Sequence, residues 1–249
     1  MKIRLFTIPN FLTLANLVCG IFSSILLSIA FGGNLHVKVE TGAVLNLVLL
    51  LMVLSLFFDF LDGMAARALK INSEIGIQLD SLADMVSFGL VPGLMMLNLL
   101  DNSLEPEYRN YSYLALLITL FSALRLAKFN VDTEQSAYFK GLATPSNTIF
   151  IAGLLWIQTQ NGYLISADGI ADSLLLLIIT GLFSWLLIAN IPMFSFKLKG
   201  FGWQENYYKY LFLIISILLL ILFQAQALAF IIPIYIIISI IFRKKIIHA

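Results

Sequence analysis

Four aspartates stand where acids are scarce. Asp59 and Asp62 lie in the apolar stretch LSLFFDFLDGMAARALK, and Asp80 and Asp84 lie in GIQLDSLADMVSFG. An ionised aspartate near hydrocarbon costs about 2.5–3.5 kcal/mol, so four together cost about 10 kcal/mol before they repel one another. Arg67 and Lys70 are the basic neighbours in sequence, and two cations cannot balance four carboxylates. Divalent cations can. Asp59, Asp62, Gly63, Ala66 and Arg67 recur at i, i+3, i+4, i+7 and i+8, one face of an α-helix. Gly76, Asp80 and Asp84 recur at i, i+4 and i+8, again one face. A short connection with Lys70, Asn72, Ser73 and Glu74 makes the two helices antiparallel neighbours, so their acids can face each other. Gly63 and Gly76 remove side chains where a bulky anion must approach the backbone. Mg²⁺ favours a few carboxylates plus phosphate oxygens, and paired metals suit phosphoryl substitution.

The elements that hold these acids must sit in a membrane. Of 249 residues, 60% are hydrophobic and 12% charged, and the mean hydropathy is +0.96. A water-soluble domain carries about 25% charged residues. Apolar runs fall near 11–31, 43–66, 78–100, 111–129, 146–165, 173–191, 209–223 and 226–242. None alternates as barrel strands do, and open strands would leave backbone unpaired in lipid, so all are expected to be helices. The last two are separated by Gln224-Ala225-Gln226, read as a tight turn. The fold class is therefore all-α, a polytopic transmembrane helix bundle of about eight spans. It is expected to form a single integral-membrane domain over 1–249, with a catalytic core near 5–150 and additional helices over 151–249.

Charge and residue counts exclude other classes. Lys plus Arg is 15 against 14 for Asp plus Glu, so no nucleic-acid partner is expected. Cys19 is the one cysteine, and His36 and His248 are distant from each other, so any metal must be held by oxygen. The run after MKIRLFTIPNF lacks a small-residue cleavage site and is expected to stay as the first span. With eight spans and the N-terminus in the cytoplasm, Lys38 and Arg109 alone among the 15 basic residues fall outside. That split predicts both termini and the acidic site at the cytoplasmic face.

Residues 59–84 read D-x-x-D-G-x-x-A-R-x(8)-G-x-x-x-D-x-x-x-D, which is identified as the signature of the CDP-alcohol phosphotransferase family. The resemblance implies displacement of CMP from a CDP-linked lipid or alcohol by an acceptor hydroxyl. It implies Asp59, Asp62 and Asp80 as ligands of Mg²⁺ or Mn²⁺, two ions in all. Asp84 would help hold them and act as the general base. Asp62, Gly63, Ala66, Arg67 and Gly76 would line the CDP site. Ile8–Gly20, Leu79–Gly93, Ala123–Asp132 and Tyr138–Asn147 further resemble the membrane-integral bacterial phosphatidylserine synthases. Glycerophosphate-accepting relatives usually carry a basic residue near Asn16, and the synthases often have Gly-Leu-Pro where this chain has Gly141-Leu142-Ala143.

That resemblance implies CDP-diacylglycerol and L-serine as substrates, a bacterial inner-membrane location and a homodimer. Serine offers a carboxylate and an ammonium, for which Arg125 and Asn130 are suited, with Ser87 and Lys140 as weaker candidates. The nearest rival acceptors are glycerol 3-phosphate and an inositol phosphate. A cation transporter would instead need charges near mid-bilayer and in both halves, yet residues 151–249 place no acid inside a run.

The charge split generates a topological prediction. Single cysteines from Ser73→Cys should be shielded from impermeant maleimide in intact cells, while Asn102→Cys and Gln160→Cys should react. The reverse pattern would overturn the orientation.

Overall fold

The computed structural model describes residues 6–32, 41–71, 73–132, 138–165, 170–195 and 202–248. Lys2, Arg4, Lys38, Lys197 and Lys199, which enter the charge argument, lie outside the described residues. Each expected apolar run corresponds to a helical segment. Helix α1 (Ile8–Gly32) packs along α2 (Thr41–Leu69), and α3 (Glu74–Asp84) continues through a π-helical turn (Met85–Leu90) into α4 (Val91–Ser103). A 3₁₀ segment (Pro106–Ala115) leads into α5 (Leu116–Val131). Then come α6 (Thr144–Asn161), α7 (Ile170–Ile188), α8 (Trp203–Phe223), α9 (Leu228–Ile241) and a short α10 (Arg243–His248). A two-stranded antiparallel ribbon, β1 (Phe139–Lys140) with β2 (Pro192–Met193), joins the approaches to α6 and α8.

Six stretches among the described residues are long and apolar enough to cross a membrane. One of them, Glu205–Ile241, is not a single rod. Gln224 adopts φ 51° and turns the chain back, so Phe212 meets Tyr235 (5.8 Å) and Tyr208 meets Phe242 (5.9 Å), as in an antiparallel hairpin. The polar stretch after Phe223 is thus the expected tight turn. Helix α6 is absent from the six because it faces protein. Its buried set includes Thr144, Asn147, Thr148 and Gln158, which lower its hydropathy. Two helices run past the bounds of the apolar runs near 78–100 and 209–223. Asp101–Ser103 extend α4, and α8 begins at Trp203 because the buried Tyr208 packs edge-on against Phe194.

The α3–α4 stretch is the most enclosed and forms the axis of the bundle. Met95, Met96, Leu99 and Leu100 on it pack with Ile118, Ile151, Leu155 and Leu176 from its neighbours. Pro92 has no N–H to give the Phe88 carbonyl four residues earlier. The Thr148 hydroxyl, which donates to Thr144 O at 3.0 Å, shares its hydrogen with that carbonyl at 3.4 Å, and Thr119 donates to Gly89 O at 3.0 Å. The π turn is therefore tied to α5 and α6 by side chains, which fixes the backbone just after Asp84.

The hairpin is held on the bundle by a close crossing: a Cβ added at Gly153 of α6 would fall on the backbone nitrogen of Ala229 in α9. Gly153→Val should lower the unfolding temperature of the detergent-solubilised protein, since overpacking costs about 1–3 kcal/mol. Gly181→Ala, where an added Cβ meets nothing within 4 Å, should not. Equal melting of the two variants would contradict this packing.

Candidate active site and metal centre

The acidic face of α2 and that of α3 are brought together by what ends one helix and starts the next. Lys70 takes φ 53°, and the N–H of Ile71 returns to Ala66 O at 3.0 Å, closing α2. Ser73 caps α3 by accepting from the N–H of Gly76 at 3.3 Å, with Glu74 in the first turn. Carboxylate oxygens of Asp59, Asp62 and Asp80 then lie within 4.8 Å of one another. Asp84, one turn beyond Asp80, is close enough to act electrostatically on all three.

The first helix completes the arrangement. Thr13 donates to Asp62 Oδ2 at 2.7 Å, and Asn16 Nδ2 donates to Asp84 Oδ1 at 3.3 Å. The orientation of Asn16 is set in turn by Ser55 of α2, whose hydroxyl donates to its side-chain oxygen. Asp80 Oδ1 is buried with no protein partner. Among the described residues, no lysine or arginine forms an ion pair with any of the four acids, while Lys140 pairs with Asp132. Two like charges at this spacing repel by about 3 kcal/mol at an effective dielectric of 20. Hard oxygen donors, mutual repulsion and an orphaned buried oxygen together fit a divalent cation.

Beside the carboxylates lies a cleft of about 140 Å³. Asn10 and Thr13 of α1, Asp62, Gly63 and Ala66 of α2, and Gly76 and Asp80 of α3 form its walls. A Cβ at Gly63 would meet nothing within 4 Å, so the cleft is open over that backbone. The expected nucleotide-lining residues thus converge, with one difference. Arg67 is exposed one turn beyond Gly63 and stands outside the cleft wall.

The acceptor candidates separate. Arg125 is buried at 8% exposure, within electrostatic range of Asp84, and its Nε has no protein partner. Asn130 Nδ2 donates to Ser81 Oγ at 2.8 Å, which ties α5 to α3 at an exposed position. Ser87 donates to the Asn16 carbonyl at 3.1 Å, and Lys140 pairs with Asp132 at 3.3 Å. Thr13 and Ser55 are not among the residues expected from the sequence, and Asn16 enters there only as the place where glycerophosphate-accepting relatives carry a basic residue. Asn10, Thr13 and Asn16 do recur at i, i+3 and i+6 in an apolar run, and that polar stripe is the signal that would have found them.

Residues 6–185 match the sequence model of the CDP-alcohol phosphatidyltransferases. The chain belongs to that family. Among its relatives is the CDP-diacylglycerol–serine O-phosphatidyltransferase of Methanocaldococcus jannaschii, 29% identical over 164 residues, which is 66% of this chain and 67% of that protein. The protein of the same name from Bacillus subtilis is 30% identical over 190 residues, 76% of this chain and 91% of that one. The one from Helicobacter pylori is 31% identical over 153 residues, and there the match spans 60% of the relative's length. The family match contains the whole acidic cluster, the cleft and Arg125.

The Thr13 hydroxyl, on the cleft wall, orients the Asp62 carboxylate. Partners of this kind are worth about 10–100-fold in metal affinity. Thr13→Val should therefore raise the Mn²⁺ concentration needed for half-saturation by about tenfold or more, read by paramagnetic resonance on the purified protein. Unchanged saturation would mean that Asp62 is positioned without it.

Proposed function

We propose that this protein transfers a phosphatidyl group from CDP-diacylglycerol to the hydroxyl of L-serine, giving phosphatidylserine and CMP. The observation that carries the reading is the convergence of Asp59, Asp62 and Asp80, with Asp84 in electrostatic range and no ion pair to a basic residue among the described residues, beside a cleft lined by Gly63, Ala66 and Gly76. The relatives' names supply the donor and the acceptor. The catalytic core is taken as residues 5–150. It works at the cytoplasmic face of a bacterial inner membrane, in a homodimer.

Asp59, Asp62 and Asp80, with Asp84 beside them, would hold Mg²⁺ or Mn²⁺, two ions that offset the charge of the pyrophosphate and of the departing CMP. The acyl chains of the donor stay in the bilayer, which is why the site lies among helix ends. Its cytidine nucleotide enters over Gly63, Ala66 and Gly76, where backbone replaces side chains. Arg67, at the rim, meets the phosphates from solvent. The serine oxygen forms a bond to the phosphorus that carries diacylglycerol, and the bridging P–O bond breaks toward CMP. The hydroxyl proton passes to Asp84, whose carboxylate Asn16 holds in place. The bundle contributes proximity and orientation more than reactive groups.

Phosphorylated acceptors such as glycerol 3-phosphate or an inositol phosphate carry more negative charge and call for a denser set of cations than Arg125. A cation transporter would call for acids along the bundle, whereas these four cluster at the junction of α2 and α3.

Excess chelator should abolish CMP release, and Mg²⁺ or Mn²⁺ should restore it. Asp84→Asn should lower the rate by about 10²–10⁴-fold while keeping CDP-diacylglycerol bound. Asp59→Asn should lose metal and nucleotide together. Full turnover in chelator would remove the metal from the account, and equal binding losses in the two variants would make Asp84 a ligand rather than the base.

A further inference from the structure

Nine buried side-chain polar atoms lack a protein partner among the described residues, and six of them belong to five residues on three adjacent helices. They are Ser122 Oγ and Arg125 Nε on α5, Thr144 Oγ1 and both amide atoms of Asn147 on α6, and Ser184 Oγ on α7. None of these residues is more than 8% exposed. Buried polar groups are almost always paired, so a concentration of this kind marks a place built for a polar occupant.

Cross-helix contacts put the five at one height. Asn130 against Ser81 (2.8 Å) and Thr119 against Gly89 (3.0 Å) run α5 antiparallel to the α3–π segment, which sets Arg125 beside the turn that follows Asp84. Thr148 against Phe88 (3.4 Å) and Gln158 against Leu99 (3.5 Å) run α6 parallel to α3–α4, which sets Thr144 and Asn147 level with Asp84 and Ser87. Phe150 stacks on Phe183 at 4.1 Å, and the Leu142 N–H donates to Leu186 O at 2.9 Å. These contacts place Ser184 opposite Asn147.

The last hairpin closes the group. Gly153 crosses Ala229, and the Tyr235 hydroxyl donates to Phe194 O at 2.8 Å, next to the ribbon that precedes α6. Helix α9 therefore runs antiparallel to α6 and brings Tyr235 to the height of Asn147, within electrostatic range of Arg125. Tyr235 lies beyond residue 185, where the family match ends.

We propose that this buried polar cluster seats the acceptor as a small zwitterionic amino acid, with Asn147 and Tyr235 as specificity-determining residues. The proposal rests on the phosphatidyl-transfer reading above. The carboxylate lies between the Arg125 guanidinium and the Asn147 amide N–H, with the Thr144 hydroxyl as a further donor. The ammonium is met by the Asn147 amide oxygen and the hydroxyls of Ser122 and Ser184. That leaves the acceptor hydroxyl turned toward Asp84. Tyr235 holds Arg125 in place from the hairpin side and limits the length of side chain that fits.

The test uses the purified full-length protein in lipid nanodiscs with CDP-diacylglycerol and Mn²⁺, comparing the parent with Asn147→Asp, Tyr235→Phe and Ser184→Ala. Asn147→Asp sets a carboxylate against the serine carboxylate and should raise the serine KM by about 10–100-fold. The CDP-diacylglycerol KM should stay unchanged, and the rate with ethanolamine, which has no carboxylate, should rise relative to serine. Tyr235→Phe and Ser184→Ala should raise the serine KM by smaller factors with kcat nearly kept, and they carry the test if Asn147→Asp does not fold. A parent that makes phosphatidylserine, with the same serine KM in every folded variant, overturns the acceptor seat and leaves the proposed function standing. A parent that ignores serine and consumes a phosphorylated alcohol overturns both.

Discussion

The carboxylates of Asp59, Asp62 and Asp80, gathered among apolar helices with Asp84 one turn beyond and, among the described residues, without an ion pair to lysine or arginine, are the constraint on which the rest of this molecule depends. Held within a few ångströms of one another, with Asp62 buried and the others half-buried, they oppose folding unless their charge is offset. Divalent cations bound there, as proposed above, would supply that offset.

Rigidity around the acids comes from two directions. On one side α1 offers Thr13 and Asn16 to Asp62 and Asp84, with Ser55 fixing Asn16 from α2. On the other, the π turn after Asp84 is braced by hydroxyls from α5 and α6, acting on Gly89 O and on the Phe88 carbonyl that Pro92 cannot serve. The last carboxylate is thus anchored between the cleft formed by α1, α2 and α3 and a group of helices that carries Arg125.

Much of this was legible in the sequence, for physical reasons that differ by residue. The acids and the small residues Gly63, Ala66 and Gly76 repeat at helical spacing over 26 positions, so their convergence follows from local geometry and a short connection. The helical hairpin at Gln224 was legible too, because a polar tripeptide interrupts a run otherwise rich in isoleucine and leucine. What could not be read is whatever depends on which helices become neighbours. Asn130 and Lys140 looked available in sequence, yet Ser81 and Asp132 engage them. Asn147, Ser184 and Tyr235 look like isolated polar residues until α6, α7 and α9 are packed around the axis.

The account's central claim is that divalent cations, rather than protons or basic side chains, neutralise the acidic cluster. Anomalous diffraction from crystals of the protein grown at neutral pH with Mn²⁺ and CMP tests it directly. The predicted result is manganese density bounded by the carboxylates of Asp59, Asp62 and Asp80, with the nucleotide phosphate beside it over Gly63. Saturating Mn²⁺ that leaves no density between these residues, with the nucleotide bound elsewhere, would contradict it.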